Sequence, residues 1–345
     1  MNTKNNENID FADEKEHIAA VRAEAKRSFS LTGIALTVIL VITTALQYLL
    51  AVAVRHFTKT GSAFAASSWC TWLITFIPMY LIAVPVGLLI FKKIPAEKLE
   101  RDKPGAKDFI SALLACLPVM YAGNIIGTLL SLLLSGGTAE NGITSYAMDT
   151  NPLKIVVMVF LAPIIEEYIF RKQIIDRTVK FGEKTAIIFS GITFGLFHQN
   201  FFQFFYAFGI GVIFAYVYIH TGNIRYTMIM HGIINFLGGV AAPFVISLLD
   251  LDALNGISSV GDEAEAMKIM KDILPGLAIY FTYAFMLFAL SVAGLVILIL
   301  RLRRLSFDRY PERLQKGERF RTIYLNAGII IFVILCTISF VLALL

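Results

Sequence analysis

Long apolar runs dominate this sequence, and short polar segments separate them. About 20 apolar residues are enough for a helix to cross the hydrocarbon core of a bilayer. The fifth and sixth runs are separated only by a polar Gln199-Asn200 step. The runs lie near 30–55, 70–91, 108–135, 153–170, 184–200, 201–220, 224–249, 275–301 and 322–345. The pattern predicts an all-α fold, a polytopic transmembrane helical bundle of about eight or nine spans.

Composition supports this class. Apolar residues make up 57% of the chain, charged residues only 16%, and the mean hydropathy is +0.72. A soluble protein carries about a quarter charged residues. The three cysteines are scattered in or beside apolar runs, which favours buried apolar packing over a disulfide. The net charge of +5 is modest and forms no patch typical of nucleic-acid binding, so we expect no nucleic-acid partner.

The basic residues follow alternate spans. They concentrate after the second, fourth and eighth spans, whereas residues 136–152 contain no Lys or Arg and residues 250–274 are net acidic. Cytoplasmic loops of membrane proteins carry the excess of Lys and Arg. The alternation therefore predicts an integral membrane protein with its N-terminus in the cytoplasm.

Four segments follow from these patterns. Residues 1–29 form a polar cytoplasmic tail, and residues 30–150 form the leading transmembrane helices. Residues 151–249 form the core in helices 4–7, which bears unusual polar residues. Residues 250–345 contribute a loop and two C-terminal transmembrane helices.

The first polar cluster in this core is Glu166-Glu167 with Arg171. Ionisable groups at membrane depth are costly and are functional candidates by default. Glu167 and Arg171 are four residues apart, so they share a helix face and can pair. Glu166 points about 100° away, which leaves its carboxylate without that partner. An amphipathic helix end that meets interfacial water would also explain the cluster.

Two further pairs show the same four-residue spacing. Phe194 and His198 lie near the end of the fifth span, and His231 and Asn235 lie inside the seventh. A lone His is more often a structural hydrogen-bonding residue than a catalyst. A helix–helix hydrogen bond explains one polar residue better than a stacked His and Asn.

Helix geometry predicts that these clusters meet. Glu166 is sixteen residues before Gly182 and His198 is sixteen residues after it. Each residue of an α-helix advances about 1.5 Å along the axis, so two residues equally far from the turn of an antiparallel hairpin lie at the same depth in the membrane. A second turn near Gly222 returns His231 toward the same level. We therefore expect a carboxylate, two imidazoles and an amide to converge.

Such a set can hydrolyse an amide bond. Glu166 is the candidate base, His198 can orient a water molecule, and His231 and Asn235 can donate to an oxyanion. A competing mechanism binds Zn²⁺ through His198, His231 and Glu166, a three-ligand set with an open position. The chain lacks both HExxH and GxSxG, which argues against a zincin and a serine protease. Whether the reaction requires Zn²⁺ or no cofactor stays open.

The ordered motifs resemble one known family. E-E-x-x-x-R, F-x-x-x-H and H-x-x-x-N, in this order on membrane helices, are similar to those of the CPBP family of CAAX proteases and bacteriocin-processing enzymes. This family is also called Abi and includes the type II CAAX prenyl endopeptidases. The resemblance covers about residues 154–239. Many members have Gly where this chain has Lys172.

The resemblance implies a glutamate-dependent intramembrane endopeptidase, with a metalloprotease mechanism also described for the group. Its catalytic positions match Glu166, His198, His231 and Asn235. Its supporting positions match Glu167, Arg171 and Phe194.

The same resemblance implies the setting. The substrate is a membrane-associated peptide or protein, in peptide maturation or bacteriocin immunity, and the partners are that substrate and membrane lipid. A bacterial plasma membrane suits the short tail and the lack of a soluble domain. Two alternatives stay open: an inactive scaffold or immunity protein of the same fold, and a transporter with a proton-relay glutamate.

Overall fold

The structure, a computed structural model, describes residues 3–58, 62–257 and 260–345, with side chains from residue 14 onward in the first helix. This part of the chain is helical and contains no strand. The α-helices are α1 (Thr3–Phe57), α2 (Ser68–Ile77), α3 (Val84–Phe91), α4 (Ala106–Leu134), α5 (Ile143–Met148), α6 (Ala162–Glu167), α7 (Asp176–Thr178), α8 (Glu183–Phe197), α9 (Phe201–Thr221), α10 (Ile224–Phe236), α11 (Ala242–Ser247), α12 (Leu251–Gly256), α13 (Glu263–Leu302), α14 (Arg319–Tyr324) and α15 (Ala327–Leu342).

Wider π-helical turns interrupt several apolar runs. They join α2 to α3, flank α6 on both sides, and join α10 to α11. Three of these turns accompany a proline: Pro78 at the start of one, and Pro163 and Pro243 just after two others. Proline removes one helical N–H and clashes with the preceding turn, so a local change of winding relieves the clash. The π-turns are Pro78–Ala83, Ile155–Leu161, Tyr168–Ile175 and Leu237–Ala241, and Val179–Phe181 is a 3₁₀ turn.

Six helices in the described ranges are long and apolar enough to cross a membrane. The predicted all-α membrane bundle is therefore confirmed. The remaining runs form shorter units: α8 has 15 residues, α15 has 16, and the run at 153–170 is divided by its π-turns. The number of eight or nine spans stays a prediction. The six are Glu14–Phe57, Ser68–Phe91, Ala106–Leu134, Phe201–Thr221, Ile224–Ser247 and Glu263–Leu302.

The segment predicted as a polar tail is continuous with the first membrane helix. From residue 3 the chain is helical, and α1 runs on to Phe57. Its Ala25 and Phe29 are fully buried. The Phe29 ring packs edge-on against Phe189, with ring centroids 4.8 Å apart, and also contacts Phe181. The last residues before position 30 therefore belong to the core.

Helices α1 and α15 cross where two glycines meet. A Cβ on Gly33 would collide with the backbone of Gly328, and a Cβ on Gly328 would collide with the carbonyl of Ser30. Small residues let membrane helices approach closely enough for backbone contact. The Ser30 hydroxyl also accepts a hydrogen bond from the Gly328 backbone N–H at 3.2 Å.

Helices α8 and α9 form a tight hairpin at the polar Gln199-Asn200 step that separates the fifth and sixth runs. Gln199 adopts a left-handed backbone with φ of 59°, which turns the chain sharply. Asn200 then caps α9 by accepting a hydrogen bond from the Gln203 backbone N–H at 2.9 Å. Gly191 and Gly195 face α9 so closely that a Cβ on either would meet its residues. Behind this hairpin, α4 packs against both α9 and α13.

The predicted turn at Gly182 is also present, and a distant segment closes it. Gly182 has φ of 140° and separates the 3₁₀ turn from α8. The backbone N–H of Glu183 donates to the carbonyl of Tyr310 at 2.9 Å, and that of Arg313 donates to Phe181 at 3.1 Å. The Glu312 carboxylate accepts two hydrogen bonds from Thr185. The segment 309–313 therefore holds the end of the hairpin that leads to α8.

We expect Gly328→Ala to destabilise the protein. The added methyl meets the backbone of Ser30, which cannot move without separating the two helices, and overpacking of this kind costs about 1–3 kcal/mol. The measurement is the unfolding temperature in detergent. Gly238→Ala is the matched control, since nothing lies within 4 Å of its added Cβ. Equal unfolding temperatures for the two variants would contradict the proposed backbone contact.

Candidate active site

A buried ion pair forms the centre of the site. Arg171 donates to both carboxylate oxygens of Glu167, from Nε to Oε2 at 2.9 Å and from Nη2 to Oε1 at 3.2 Å. Both side chains are 0% exposed. Two parallel N–H···O bonds are the strongest geometry that this pair can form. The pairing predicted from the four-residue spacing is present.

The rest of the guanidinium is satisfied by neighbouring helices. Its Nη1 donates to the Ser190 hydroxyl at 2.9 Å, and that hydroxyl donates to the carbonyl of Phe170 at 2.9 Å. The aromatic rings of Phe194 and Phe214 lie 4.8 and 5.6 Å from the guanidinium carbon. Rings in this position stabilise a desolvated cation. Arg171 thus links its own helical segment to α8 and α9.

His231 is oriented by the same carboxylate. Its Nδ1 lies 3.1 Å from Glu167 Oε1, and a carboxylate paired with arginine can only accept, so Nδ1 carries the proton. The neutral ring therefore has its free lone pair on Nε2. That atom faces Glu166, with Oε2 at 3.8 Å. The arrangement is typical of a histidine whose tautomer is set by a buried carboxylate.

Glu166 differs from its neighbour in its exposure and in lacking an ion pair with Lys or Arg. Its side chain is 17% exposed, and in the described part of the chain no Lys or Arg forms an ion pair with it. Two residues to either side, Ile164 and Tyr168 are exposed at the surface. Glu166 therefore keeps lone pairs available next to His231.

His198 ends α8 beside this group. Its Nδ1 lies 2.8 Å from the carbonyl of Phe194. Because a carbonyl oxygen only accepts, Nδ1 is the protonated nitrogen and Nε2 is left as an acceptor. The ring is partly buried, packs edge-on against Phe194, and interacts electrostatically with Glu166 and His231. The structure thus brings the two imidazoles and Glu166 together.

Asn235 lies one helical turn beyond His231, as the spacing predicted. Its amide Nδ2 donates to the carbonyl of Met158 at 2.8 Å. Met158 belongs to the π-turn Ile155–Leu161, which precedes α6. One of the two amide N–H groups is therefore engaged, and the second is the one that a ligand can use. His231 Nδ1 is engaged too, so only its Nε2 can face a substrate.

The zinc alternative needs three donors around one point. In the ranges 14–58, 62–257 and 260–345, no group of three or more His, Cys, Asp or Glu side chains is arranged to hold a metal ion. The Nδ1 contacts of His231 with Glu167 and of His198 with a carbonyl leave both Nε2 atoms free, as in metal-ligating histidines, so the arrangement of the three side chains decides. The residues predicted as ligands, Glu166, His198 and His231, do not form a ready metal site in this geometry. The choice between a Zn²⁺-dependent reaction and one without a cofactor therefore stays a prediction.

Some residues of the site were not predicted as part of it. Ser190 holds the guanidinium of Arg171, and its place four residues before Phe194 and eight before His198 is the signal that could have found it. The carboxylate of Glu166 interacts electrostatically with the hydroxyls of Tyr80 and Tyr206. Gln203 donates to the Tyr206 hydroxyl at 2.9 Å. Nothing in their local sequence pattern indicates these contacts.

Comparison with known proteins finds similarity over the region that carries these residues. Residues 149–237 match the family described as type II CAAX prenyl endopeptidase Rce1-like. The chain is 29% identical over 167 residues to "Membrane-embedded CAAX protease MroQ" of Staphylococcus aureus (strain USA300), which covers 44% of this chain and 67% of the relative. It is 28% identical over 168 residues to "Putative membrane peptidase YdiL" of Bacillus subtilis (strain 168), which covers 45% of this chain and 66% of the relative. No solved structure shows significant similarity to the chain.

A helical membrane bundle with a buried Glu-Arg-His network defines the class: an integral membrane protein of the membrane peptidase type. The matched region and the two relatives make the core of this chain similar to membrane CAAX proteases. The match spans about two thirds of the length of each relative.

We expect Arg171→Met to destabilise the fold strongly. It leaves Glu167 as a buried, unpaired carboxylate, and breaking a buried pair in this way costs about 3–5 kcal/mol. The measurement is thermal unfolding in detergent. Arg22→Met is the matched control, because Arg22 pairs with Glu318 while 38% exposed, and such a pair contributes about 1 kcal/mol or less. Similar losses for both variants would contradict a central role for the buried pair.

Proposed function

We propose that this protein is a glutamate-dependent intramembrane endopeptidase that hydrolyses a peptide bond in a membrane-associated peptide or protein. The observation that supports it most directly is the contrast between the two glutamates. Glu167 is fully engaged with Arg171 and His231, whereas Glu166 is partly exposed and faces the free Nε2 of His231. A paired carboxylate would be a poor base, and an unpaired one next to an oriented imidazole is suited to activate water.

The first step that this geometry supports is attack by water. The 3.8 Å separation between Glu166 Oε2 and His231 Nε2 is too long for a direct hydrogen bond and suits a bridging water. Glu166 takes one proton from that water, and His231 Nε2 accepts a hydrogen bond from the other O–H. The water oxygen then forms a bond to the carbonyl carbon of the substrate. Both hydrogens of the water are then used, so His198, whose Nε2 is also an acceptor, acts on this group through its electrostatic interactions with Glu166 and His231.

The second step breaks the C–N bond. The carbonyl oxygen becomes an oxyanion, and the free amide N–H of Asn235 is the donor placed to stabilise it. The proton held by Glu166 moves to the leaving nitrogen, which departs as an amine and leaves a carboxylic acid. This assignment gives Asn235 the role of oxyanion donor and gives His231 the role of orienting the water.

The surroundings of the site favour a substrate that is itself in the membrane. Ile164 and Tyr168, in the same helical segment as Glu166, are apolar or aromatic and exposed. They face lipid in a membrane-spanning bundle. We therefore assign the protein a CAAX-protease-like role in peptide maturation or bacteriocin immunity, at a bacterial plasma membrane, with the N-terminus in the cytoplasm.

We expect Glu166→Gln to abolish cleavage, because the neutral amide cannot accept a proton from water. Loss of one such catalytic group typically lowers the rate by about 10²–10⁴-fold or more. The measurement is cleavage of a membrane-reconstituted peptide library by the purified full chain, read by mass spectrometry. Glu140→Gln, at an exposed position, is the matched control. An unfolding temperature equal to that of wild type shows that the Glu166→Gln protein is folded.

His198→Ala and His231→Ala are expected to lose cleavage as well, with His56→Ala as their control at an exposed position. Metal analysis and a chelator arm on the wild type decide between a metal-free and a Zn²⁺-dependent reaction. Unchanged cleavage in Glu166→Gln would overturn the catalytic assignment. An immunity phenotype that persists in that variant would instead support an inactive scaffold of the same fold.

A further inference from the structure

A cavity lies away from the candidate active site, toward the other end of α8. It has a volume of about 670 Å³, a size typical of small-molecule sites. It lies between the start of α4, the last turns of α9 and the end of α13. Ile187 of α8 lines the cavity and lies eleven residues before His198, so the two sites are separated by roughly 16 Å along that helix. The cavity is therefore independent of the proposed hydrolysis.

The interior of this cavity is apolar. Its walls include Ala112 and Ala115 of α4, Val212 and Ile213 of α9, and Ile297 and Leu298 of α13. The two alanines leave space that larger side chains would fill. A surface of this kind inside a membrane bundle is complementary to a hydrocarbon chain.

The mouth of the cavity is basic. Four cationic side chains line it: Lys103, Arg301, Arg304 and Arg309. Two carboxylates, those of Asp102 and Asp108, line it as well.

Both carboxylates at the mouth are already engaged. Asp108 accepts from Arg301 Nη2 at 2.8 Å, and Asp102 lies 3.4 Å from Arg309 Nη2. Lys103 and Arg304 form no ion pair with any residue that the structure describes. The rim therefore offers two uncompensated cations directly above an apolar chamber.

We propose that this cavity binds one anionic phospholipid, with an acyl chain between α4, α9 and α13 and the phosphate at Lys103 and Arg304. An apolar chamber alone would accept any lipid. The two free cations give the preference for negative charge. Basic pockets between membrane helices bind anionic headgroups. The rim also lies at the end of the bundle that the basic loops predict to be cytoplasmic, where anionic lipid is enriched.

The test uses the full chain, purified in detergent and stripped of lipid. Native mass spectrometry measures binding of phosphatidylglycerol and of phosphatidylcholine with identical acyl chains. Wild type is expected to prefer phosphatidylglycerol by about tenfold or more, as two cations imply. Lys103→Gln combined with Arg304→Gln is expected to remove that preference. Lys268→Gln combined with Lys271→Gln, two exposed lysines at the other end of α13, is the matched control and keeps it.

Two further arms separate a lipid from other ligands. Ala112→Phe fills the chamber, and we expect loss of the bound lipid with either headgroup, whereas Ala289→Phe at an exposed position of α13 leaves binding unchanged. Glycerol phosphate, which lacks acyl chains, is expected not to compete. Competition by glycerol phosphate would assign the rim to free phosphates and overturn the lipid proposal. An unchanged headgroup preference in the Lys103 and Arg304 double variant would overturn it as well, and this arm does not depend on the packing of the core.

Discussion

The rest of this structure depends on how a guanidinium that is excluded from water finds its partners. Arg171 is fully buried in a bundle of apolar helices, where an unpaired cation would cost several kcal/mol. Its five N–H donors have few possible partners there. Glu167, Ser190 and the rings of Phe194 and Phe214 supply them. Because these residues come from three helical segments, the position of one side chain constrains how those segments pack.

The same constraint separates the roles of two adjacent glutamates. Glu167 uses its oxygens for Arg171 and His231, and in doing so it sets which nitrogen of His231 remains free. That nitrogen faces Glu166, which points away from the pair by about one hundred degrees around the helix. The arrangement places a rigid, buried carboxylate beside a more exposed one. Neighbouring residues of identical chemistry thus have opposite environments, one fixed by pairing and the other open to a ligand.

Local spacing predicted much of this, and contacts between distant segments account for what it missed. The Glu167–Arg171 pair and the edge-on contact of His198 with Phe194 follow from four-residue spacing on a helix. The turn at Gly182 follows from a glycine between two helices. The bond from His231 to Glu167 joins residues 64 positions apart, so no local pattern reveals it. The π-turns around α6 change the winding of a run that looks like one continuous span. The number of spans is hard to predict for the same reason.

The closure of the turn at Gly182 by the segment 309–313 has a consequence for how the protein is made. The family match ends at residue 237, yet Tyr310 and Arg313 complete the backbone hydrogen bonds at the end of the α8 hairpin. The ribosome delivers these partners more than seventy residues after the matched region, as the last quarter of the chain emerges. Until then the first turn of α8 has polar groups without their final partners. The hydrogen bonds at the start of α8 are therefore completed only late in synthesis.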